Sequence, residues 1–217
     1  RNMKAQRIVV TEFGTRAFPD PCKTIWGRFM SYFSTEMTDN DNVNIYPVGD
    51  QLYASTETNF IRRVDQNSLT THEKVDLSNY LTINTGIKTK LIMKVVIFFI
   101  VYFFFNTATA HPHVDNDKNV YNMGSSFGPR GKYNLIKIPN VEKPFENASI
   151  VCSIPMERTL NPAYYHSFSI TDNYYIFIEQ PLVISVPTLA MSHITGKSYA
   201  NCLTWKPNLR VCSALVL

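Results

Sequence analysis

Three histidines, two of them in one short motif, are the residues of this chain whose types best suit chemistry. His111-Pro112-His113 places two imidazoles two residues apart, and His166 follows the aromatic pair Tyr164-Tyr165. A neutral imidazole is a common ligand of transition metals, so these residues could contribute to a metal site. Taken alone, the His-x-His motif is more typical of a surface or core pair, and His166 of a core histidine packed among aromatic rings.

The remaining candidates are weaker when each is considered by itself. Glu57, in the segment Thr56-Glu57-Thr58-Asn59, would be a solvated strand carboxylate. His72 and His193 match no catalytic pattern and are expected at the surface. The four cysteines match neither a zinc motif nor a disulfide scaffold, which favours reduced, mostly buried thiols in a cytoplasmic protein; they are Cys22, Cys152, Cys202 and Cys212.

The elements that must position these residues have the pattern of an all-β protein. The chain has 14 Phe, 12 Tyr and 12 Pro, and short apolar segments alternate with turn signals such as Gly49-Asp50. This spacing is typical of a sandwich, a barrel or a propeller, and periodicity cannot choose among them. Strands are predicted at 6–14, 43–46, 51–55, 60–64, 75–81, 120–123, 133–138, 149–154, 166–170 and 174–179. Apolar residues at helical spacing between Lys23 and Phe33 predict a short amphipathic helix.

Composition and charge exclude some classes of function. With 217 residues, 45% of them hydrophobic, the chain can form one domain with a substantial core. The net charge is +4, but the basic residues are scattered, whereas a nucleic-acid interface requires clustered charge. The first residues lead into a polar stretch, so no signal peptide is expected, and the absence of an initial Met suggests that the start is missing.

One segment does not fit this pattern. Val95 to Phe105 is an unbroken apolar run, preceded by Lys88, Lys90 and Lys94. A membrane-spanning helix needs roughly 20 apolar residues, so the run is too short to cross a bilayer and a buried strand is the simpler structure. The dipeptide Asn-Thr stands both at 84–85 and at 106–107, codons at both ends permit splice sites, and Phe codons form a pyrimidine tract. We therefore interpret residues 86–107 as a retained intron in the gene model.

Several segments, in order, resemble the animal branch of the carotenoid cleavage oxygenase family, which includes β-carotene oxygenases and a retinoid isomerase. The resemblance covers nearly all of residues 9–205 except the insert. The segments that carry it are Glu12-Phe-Gly-Thr-Arg-Ala-Phe-Pro-Asp-Pro-Cys22-Lys23, Thr38-Asp-Asn40, Val43-Asn-Ile-Tyr-Pro-Val-Gly49, Tyr53-Ala-Ser-Thr-Glu-Thr-Asn59-Phe60, Tyr80-Leu-Thr-Ile-Asn-Thr85 joined to Ala108-Thr-Ala-His-Pro-His113, Val120-Tyr-Asn-Met-Gly124, Pro162-Ala-Tyr-Tyr-His166-Ser-Phe168 and Ile176-Phe-Ile-Glu-Gln-Pro181.

The resemblance implies a seven-bladed β-propeller with Fe(II) held on its axis by four histidines. His111 and His166 stand where the family has its first and second ligands, and two later ligands have no counterpart here. Glu57 matches a carboxylate that accepts the second ring N–H of a ligand, which we expect to be His166. Thr56 matches a residue lining the cavity near the iron, and His113 is expected to be a structural neighbour.

The implied activity is oxidative cleavage of a polyene double bond, β-carotene to retinal, with O₂ and one Fe(II) per full-length enzyme. A retinoid isomerase, off-centre cleavage and a non-catalytic, membrane-associated carotenoid-binding protein are the alternatives. Cys22, at the start of the apolar segment 23–33, lies in a region that the family uses at the tunnel mouth, where it could be acylated or be an ordinary loop cysteine. We expect a cytoplasmic protein with peripheral membrane contact.

Two departures from the family pattern lead to further expectations. The insert at 86–107 falls immediately before His111, on the strand that must orient this ligand. From Lys206 to Leu217 the family pattern is lost. We therefore interpret residues 1–217 as a single incomplete propeller domain, about the first half of the family pattern, with a divergent tail at 206–217. By itself this stretch is expected to be inactive.

Overall fold

A computed structural model describes residues 24–26, 43–77, 79, 106–195 and 199–216 of the chain. Within these ranges the protein is mostly β, as the sequence predicts. Its strands are β1 Asn44–Val48, β2 Gln51–Ser55, β3 Phe60–Val64, β4 Thr71–Asp76, β5 Asn106–Ala108, β6 His113–Val114, β7 Val120–Ser126, β8 Lys132–Ile138, β9 Ser149–Pro155, β10 Ser169–Ile170, β11 Tyr175–Glu179, β12 Leu182–Ile184, β13 Leu203–Trp205 and β14 Cys212–Val216. A helix, α1, spans Val186–Thr195, and a 3₁₀ turn spans Tyr199–Cys202.

The first sheet is an antiparallel meander in the order β1-β2-β3-β4. Val48 pairs with Gln51 across a two-residue turn, and Gly49 has φ of 59°. A positive φ at the first central position of such a hairpin is costly for other residues, which explains the glycine. The fourth strand differs from the prediction at 75–81, because the observed strand begins earlier, at Thr71. Its sequence, THEKVD, is polar and mostly exposed, so pairing with β3 defines the strand rather than an apolar pattern of its own.

The second sheet is a meander in the order β5-β7-β8-β9, with β6 also paired to β7. Its central strand β8 is buried on both faces. Tyr133 and Leu135 belong to one hydrophobic cluster, whereas Ile136 and Ile138 belong to another. This second sheet therefore lies between two cores: one shared with the first sheet and one shared with the segment 156–186.

The remaining strands form two small sheets, β10-β11-β14 and β12-β13. The predicted strand at 166–170 is shorter than expected, because only Ser169 and Ile170 pair.

Helix α1 was not predicted. Ser185 precedes it, and the Ser185 hydroxyl accepts a 3.4 Å hydrogen bond from the Thr188 N–H, which is an N-cap. In the segment expected to be a divergent tail, β14 pairs with β11 from Tyr175↔Val216 to Glu179↔Cys212.

Several predicted features fall on residues that are only partly described. Of the amphipathic helix at 23–33, Ile25 and Trp26 are described and are helical. The strand at 6–14 and residues 86–105 of the suspected insert lie outside the described residues. In the ranges that the structure describes, no helix combines the length and the apolar character needed to cross a membrane.

Candidate functional site

His111 lies on a bulge between two short strands that pair with the same neighbour. Ala108 pairs with Gly124 and His113 pairs with Tyr121, so four residues, 109–112, face only two, 122 and 123. The Asn122 side-chain amide donates a 3.1 Å hydrogen bond to the Thr109 carbonyl and so replaces part of the interrupted ladder. Bulges of this kind redirect side chains and are common beside active sites. Here the bulge carries His111, whose ring contacts that of His166.

The first sheet holds this bulge in place from its other side. The Asn44 side-chain amide donates a 2.9 Å hydrogen bond to the Ala110 carbonyl, and the Ser55 hydroxyl donates a 3.3 Å bond to the same oxygen. Ala110 is fully buried. The position of His111 therefore depends on contacts between the first two sheets.

His166 lies on the segment that precedes β10. Side chains of β8 and of Gln180, just after β11, hold this segment in place. The Tyr133 hydroxyl accepts a 2.8 Å hydrogen bond from the Ala163 N–H, and the Gln180 side chain donates a 3.0 Å bond to the Tyr164 carbonyl. Tyr133 is completely buried and its hydroxyl also contacts Glu179 at 3.3 Å. Buried polar contacts, rather than a regular strand, define the backbone that carries His166.

The two histidines meet although they are 55 residues apart in sequence. Their ring centroids are 4.4 Å apart and the rings are inclined by 56°. The Nε2 atom of His111 is buried and has no hydrogen-bond partner within the described ranges. A buried polar atom without a partner is costly, and a bound metal ion would satisfy it. Two adjacent imidazoles with such an atom fit a divalent transition-metal ion such as Fe(II).

Glu57 lies against His166, as the resemblance implies. Its Oε1 atom accepts a hydrogen bond from Nδ1 of His166. The Tyr164 hydroxyl also donates to this carboxylate, at 2.7 Å from Oε1 and 2.9 Å from Oε2. Because Nδ1 then carries the proton, Nε2 of His166 keeps its lone pair for a metal.

The electrostatics of the site favour neutral imidazole and a protonated phenol. Burial lowers the pKa of His111, repulsion between its protonated form and the neighbouring imidazoles of His166 and His113 lowers it further, and the Glu57 carboxylate opposes these effects. Burial, reinforced by the Glu57 carboxylate, raises the pKa of Tyr164 well above its usual value. His111 therefore remains a lone-pair donor at neutral pH, and Tyr164 remains a hydrogen-bond donor to Glu57.

The other candidate residues have more ordinary surroundings. Thr56 is buried, with 5% of its surface exposed, immediately before Glu57. The Nε2 atom of His113 lies 2.7 Å from the Phe168 carbonyl, and its ring packs edge-on against Phe168. His72 is exposed on β4, and His193 lies in α1. Of the cysteines, Cys202 is buried, Cys152 half-buried and Cys212 exposed, all as free thiols, and Cys22 lies outside the described residues.

Two residues of this site escaped the sequence reasoning. Tyr164 stands two positions before His166, and Thr109 stands two positions before His111. For Thr109 the spacing was an available signal, because a threonine hydroxyl can accept from the N–H two residues on, as it does here from His111. Tyr164 acts through Glu57, which is 107 residues away in sequence, so it had no comparable local signal. Across the ranges that the structure describes, no group of three or more His, Cys, Asp or Glu side chains forms a metal cluster. Among the described residues, the candidate site consists of the His111 and His166 imidazoles, the Thr109 and Tyr164 hydroxyls and the Glu57 carboxylate.

Comparison with known proteins relates this chain to one family. The family model described as retinal pigment epithelial membrane protein matches residues 1–216. The chain is 44% identical to the beta,beta-carotene 15,15'-dioxygenase of Gallus gallus, covering 94% of this chain and 37% of that protein. It is 41% identical to the mitochondrial carotenoid-cleaving dioxygenase of Pongo abelii, covering 95% of this chain and 35% of that protein. The chain thus spans about a third of the length of these relatives.

Solved structures agree on the fold. The structure of a variant of the Synechocystis apocarotenoid oxygenase superposes with a TM-score of 0.61 and 17% identity. The match covers 99% of this chain and 38% of the oxygenase chain. The lignostilbene dioxygenase of Pseudomonas brassicacearum matches 99% of this chain and 36% of its own, with a TM-score of 0.57 and 18% identity. These likenesses show the fold. The family model, which matches residues 1–216, shows that the chain belongs to the retinal pigment epithelial membrane protein family, the carotenoid oxygenases that its sequence motifs resemble.

Proposed function

We propose that this chain is part of an Fe(II)-dependent dioxygenase that cleaves the central double bond of a β-carotene-like carotenoid into two molecules of retinal. The observation that carries the proposal is the pairing of His111 and His166, 4.4 Å apart, with a buried, unpartnered Nε2 on His111. Relatives that are 39–44% identical are named as carotene dioxygenases, which supports the substrate class.

In this proposal His111 and His166 hold one Fe(II) through their Nε2 atoms, with two further histidines of the complete protein. When bound, Fe(II) supplies the binding and activation of O₂. Overall, one C=C bond and one O₂ become two aldehyde C=O groups, so atoms balance without another reductant.

The chain's own residues orient and tune this site. Glu57 accepts the Nδ1 proton of His166, which fixes the ring orientation and raises the basicity of Nε2. Tyr164 donates to Glu57 and keeps the carboxylate directed at His166. Buried Thr56 contributes to the wall near the metal, where an apolar tunnel would accommodate a polyene.

We propose that the first and second sheets are two blades of a seven-bladed propeller. The first is an antiparallel four-stranded meander, the unit from which propeller blades are built. The second has five strands, but β5 and β6 pair with successive parts of β7, so it too is four strands wide. A hydrophobic cluster packs against each face of the second sheet, as expected for a blade between two neighbours. Both blades contribute to the site, since Glu57 follows β2 and His111 follows β5.

We also propose that residues 86–107 are an insertion absent from the functional protein. Asn106 and Thr107 pair with Ser126 and Ser125. If the 22 residues from 86 to 107 (107 − 86 + 1) are removed, Asn84-Thr85 precedes Ala108, and the strand sequence Asn-Thr-Ala is unchanged. The register that orients His111 is therefore compatible with the shorter chain.

Peripheral contact with a membrane completes the proposal. Ile25 and Trp26, both helical, are 88% and 73% exposed. Exposed apolar and aromatic residues at a helix are typical of an interfacial anchor, and such a surface would let a cytoplasmic enzyme take its substrate from lipid. Cys22 is close enough in sequence to add an acyl chain at the same surface.

The test is product analysis with the complete protein encoded by the transcript. Purified protein is analysed for iron and incubated with β-carotene under ¹⁸O₂. The expected result is one iron per chain and retinal carrying the label. Carotenoid binding without iron or product would instead identify a binding protein, and aldehydes of unequal length would identify off-centre cleavage.

A further inference from the structure

We propose that Thr109 is a positioning residue whose hydroxyl sets the separation of His111 and His166, and through it the affinity and geometry of the metal site. The proposal rests on the iron site of the proposed function. It deepens that function by assigning a role to a residue that is neither a ligand nor in contact with Glu57.

The Thr109 hydroxyl connects the two segments that carry the histidines. Its Oγ1 atom accepts a 3.2 Å hydrogen bond from the His111 N–H and donates one to the His166 carbonyl. A threonine hydroxyl has one proton and two lone pairs, so it can make both contacts at once. Through one oxygen, the backbones of two residues 55 positions apart in sequence are held together.

Thr109 is itself held firmly. Only 3% of its surface is exposed. Its N–H donates a 2.8 Å hydrogen bond to the Met123 carbonyl, and its own carbonyl accepts from the Asn122 amide. A β-branched side chain has few χ1 rotamers, so the hydroxyl has little freedom to move. Because Thr109 is bonded both to β7 and to the His166 carbonyl, the position of β7 constrains the backbone of the second histidine.

Loss of the hydroxyl would act on both imidazoles. Without Oγ1, the His166 carbonyl and the His111 N–H lose a shared partner, and nothing else among the described contacts joins their backbones directly. The rings are only 4.4 Å apart, so a small shift of either segment changes the angle that the two Nε2 atoms present to one ion. Groups behind the ligands commonly change metal affinity by about 10–100-fold when removed.

The experiment compares three variants of the complete protein. Thr109→Val keeps the shape but removes the hydroxyl, whereas Thr109→Ser keeps the hydroxyl. As a control, Ser153→Ala removes a 2.7 Å hydroxyl bond to Asn134 in the second sheet, a bond that involves neither histidine. Fe(II) affinity is measured by competition with a chelator, and the ligand-field absorption of the Co(II)-loaded protein reports the geometry. Urea unfolding of each metal-free variant measures stability separately.

We expect Thr109→Val to weaken Fe(II) binding about tenfold or more and to shift the Co(II) bands. Thr109→Ser should stay within about threefold of the parent, and Ser153→Ala should change stability without moving the bands. If Thr109→Val does not fold, Thr109→Cys replaces it, because a thiol is the weaker hydrogen-bonding group, and it should weaken binding in the same direction.

Two results would overturn the role of Thr109. The first is a Thr109→Val protein with unchanged Fe(II) affinity and unchanged Co(II) bands. The second is a loss of Fe(II) affinity in Thr109→Ser as large as in Thr109→Val, because the hydroxyl would then not be the cause. A parent protein that binds neither ion at this site would overturn the proposed function as well, so the two failures are distinguishable.

Discussion

Replacement of Glu57 tests how the carboxylate supports the metal site. Glu57 accepts from Nδ1 of His166 and from the Tyr164 hydroxyl. In Glu57→Gln, the amide oxygen can still accept from His166, but the bond is no longer charge-assisted. Such bonds contribute about 1.5–3 kcal/mol, against about 0.5–1.5 kcal/mol for neutral ones. The difference of about 1 kcal/mol corresponds to roughly fivefold to tenfold weaker Fe(II) binding.

Glu57→Ala removes both contacts and should weaken Fe(II) binding on the order of 100-fold, the upper end for groups behind a ligand. The assay is competition for Fe(II) with a chelator of known affinity in the complete protein. Glu73→Gln is the matched control, since Glu73 pairs with Arg63 at 2.6 Å on the same sheet and is about half exposed. If both Glu57 variants bound iron like the control, the support of His166 by this carboxylate would be refuted.

Two further predictions concern the fold around the site, and a third concerns the insertion at residues 86–107. Tyr133→Phe should lower the free energy of unfolding by about 1–2 kcal/mol in urea titrations, because the buried Ala163 N–H loses its acceptor; Tyr174→Phe, at an exposed position, should change little. Leu135→Ala should cost about 2–5 kcal/mol by the same measurement, whereas Val151→Ala, at a position 42% exposed, should cost less than about 1 kcal/mol. Messenger RNA should join the codon of Thr85 to an Ala codon; long reads that retain codons 86–107 in most transcripts would contradict the insertion.

The strands that sequence predicted best have both an apolar pattern and a clear turn. β2 and β3 match the prediction at 51–55 and 60–64, and β8 begins one residue before the predicted Tyr133. β4 was misplaced because its polar residues carry no period, and the strand depends on the neighbouring β3. The sequence does not predict helix α1, because its first turn has no acidic residue. Without such a residue, the N-cap Ser185 is a weak signal of a helix start.

The site was accessible only through the family motifs. Glu57 and His166 are 109 residues apart, and no spacing rule brings them together. The bulge that directs His111 depends on the register of β5 and β6 against β7, which becomes visible only when the strands are paired. Thr109 and Tyr164 act through hydrogen bonds to other segments, so their residue types alone did not distinguish them from ordinary core and aromatic residues.

Iron content of histidine variants tests the central claim most directly. His111→Ala and His166→Ala should each lose the bound iron of the complete protein, because each removes one imidazole ligand from the ion. His113→Ala should retain most of it, since its Nε2 is already engaged with the Phe168 carbonyl at 2.7 Å. Metal analysis of the purified proteins gives the answer: iron lost only with His111 and His166 supports the account, and unchanged iron in His166→Ala contradicts it.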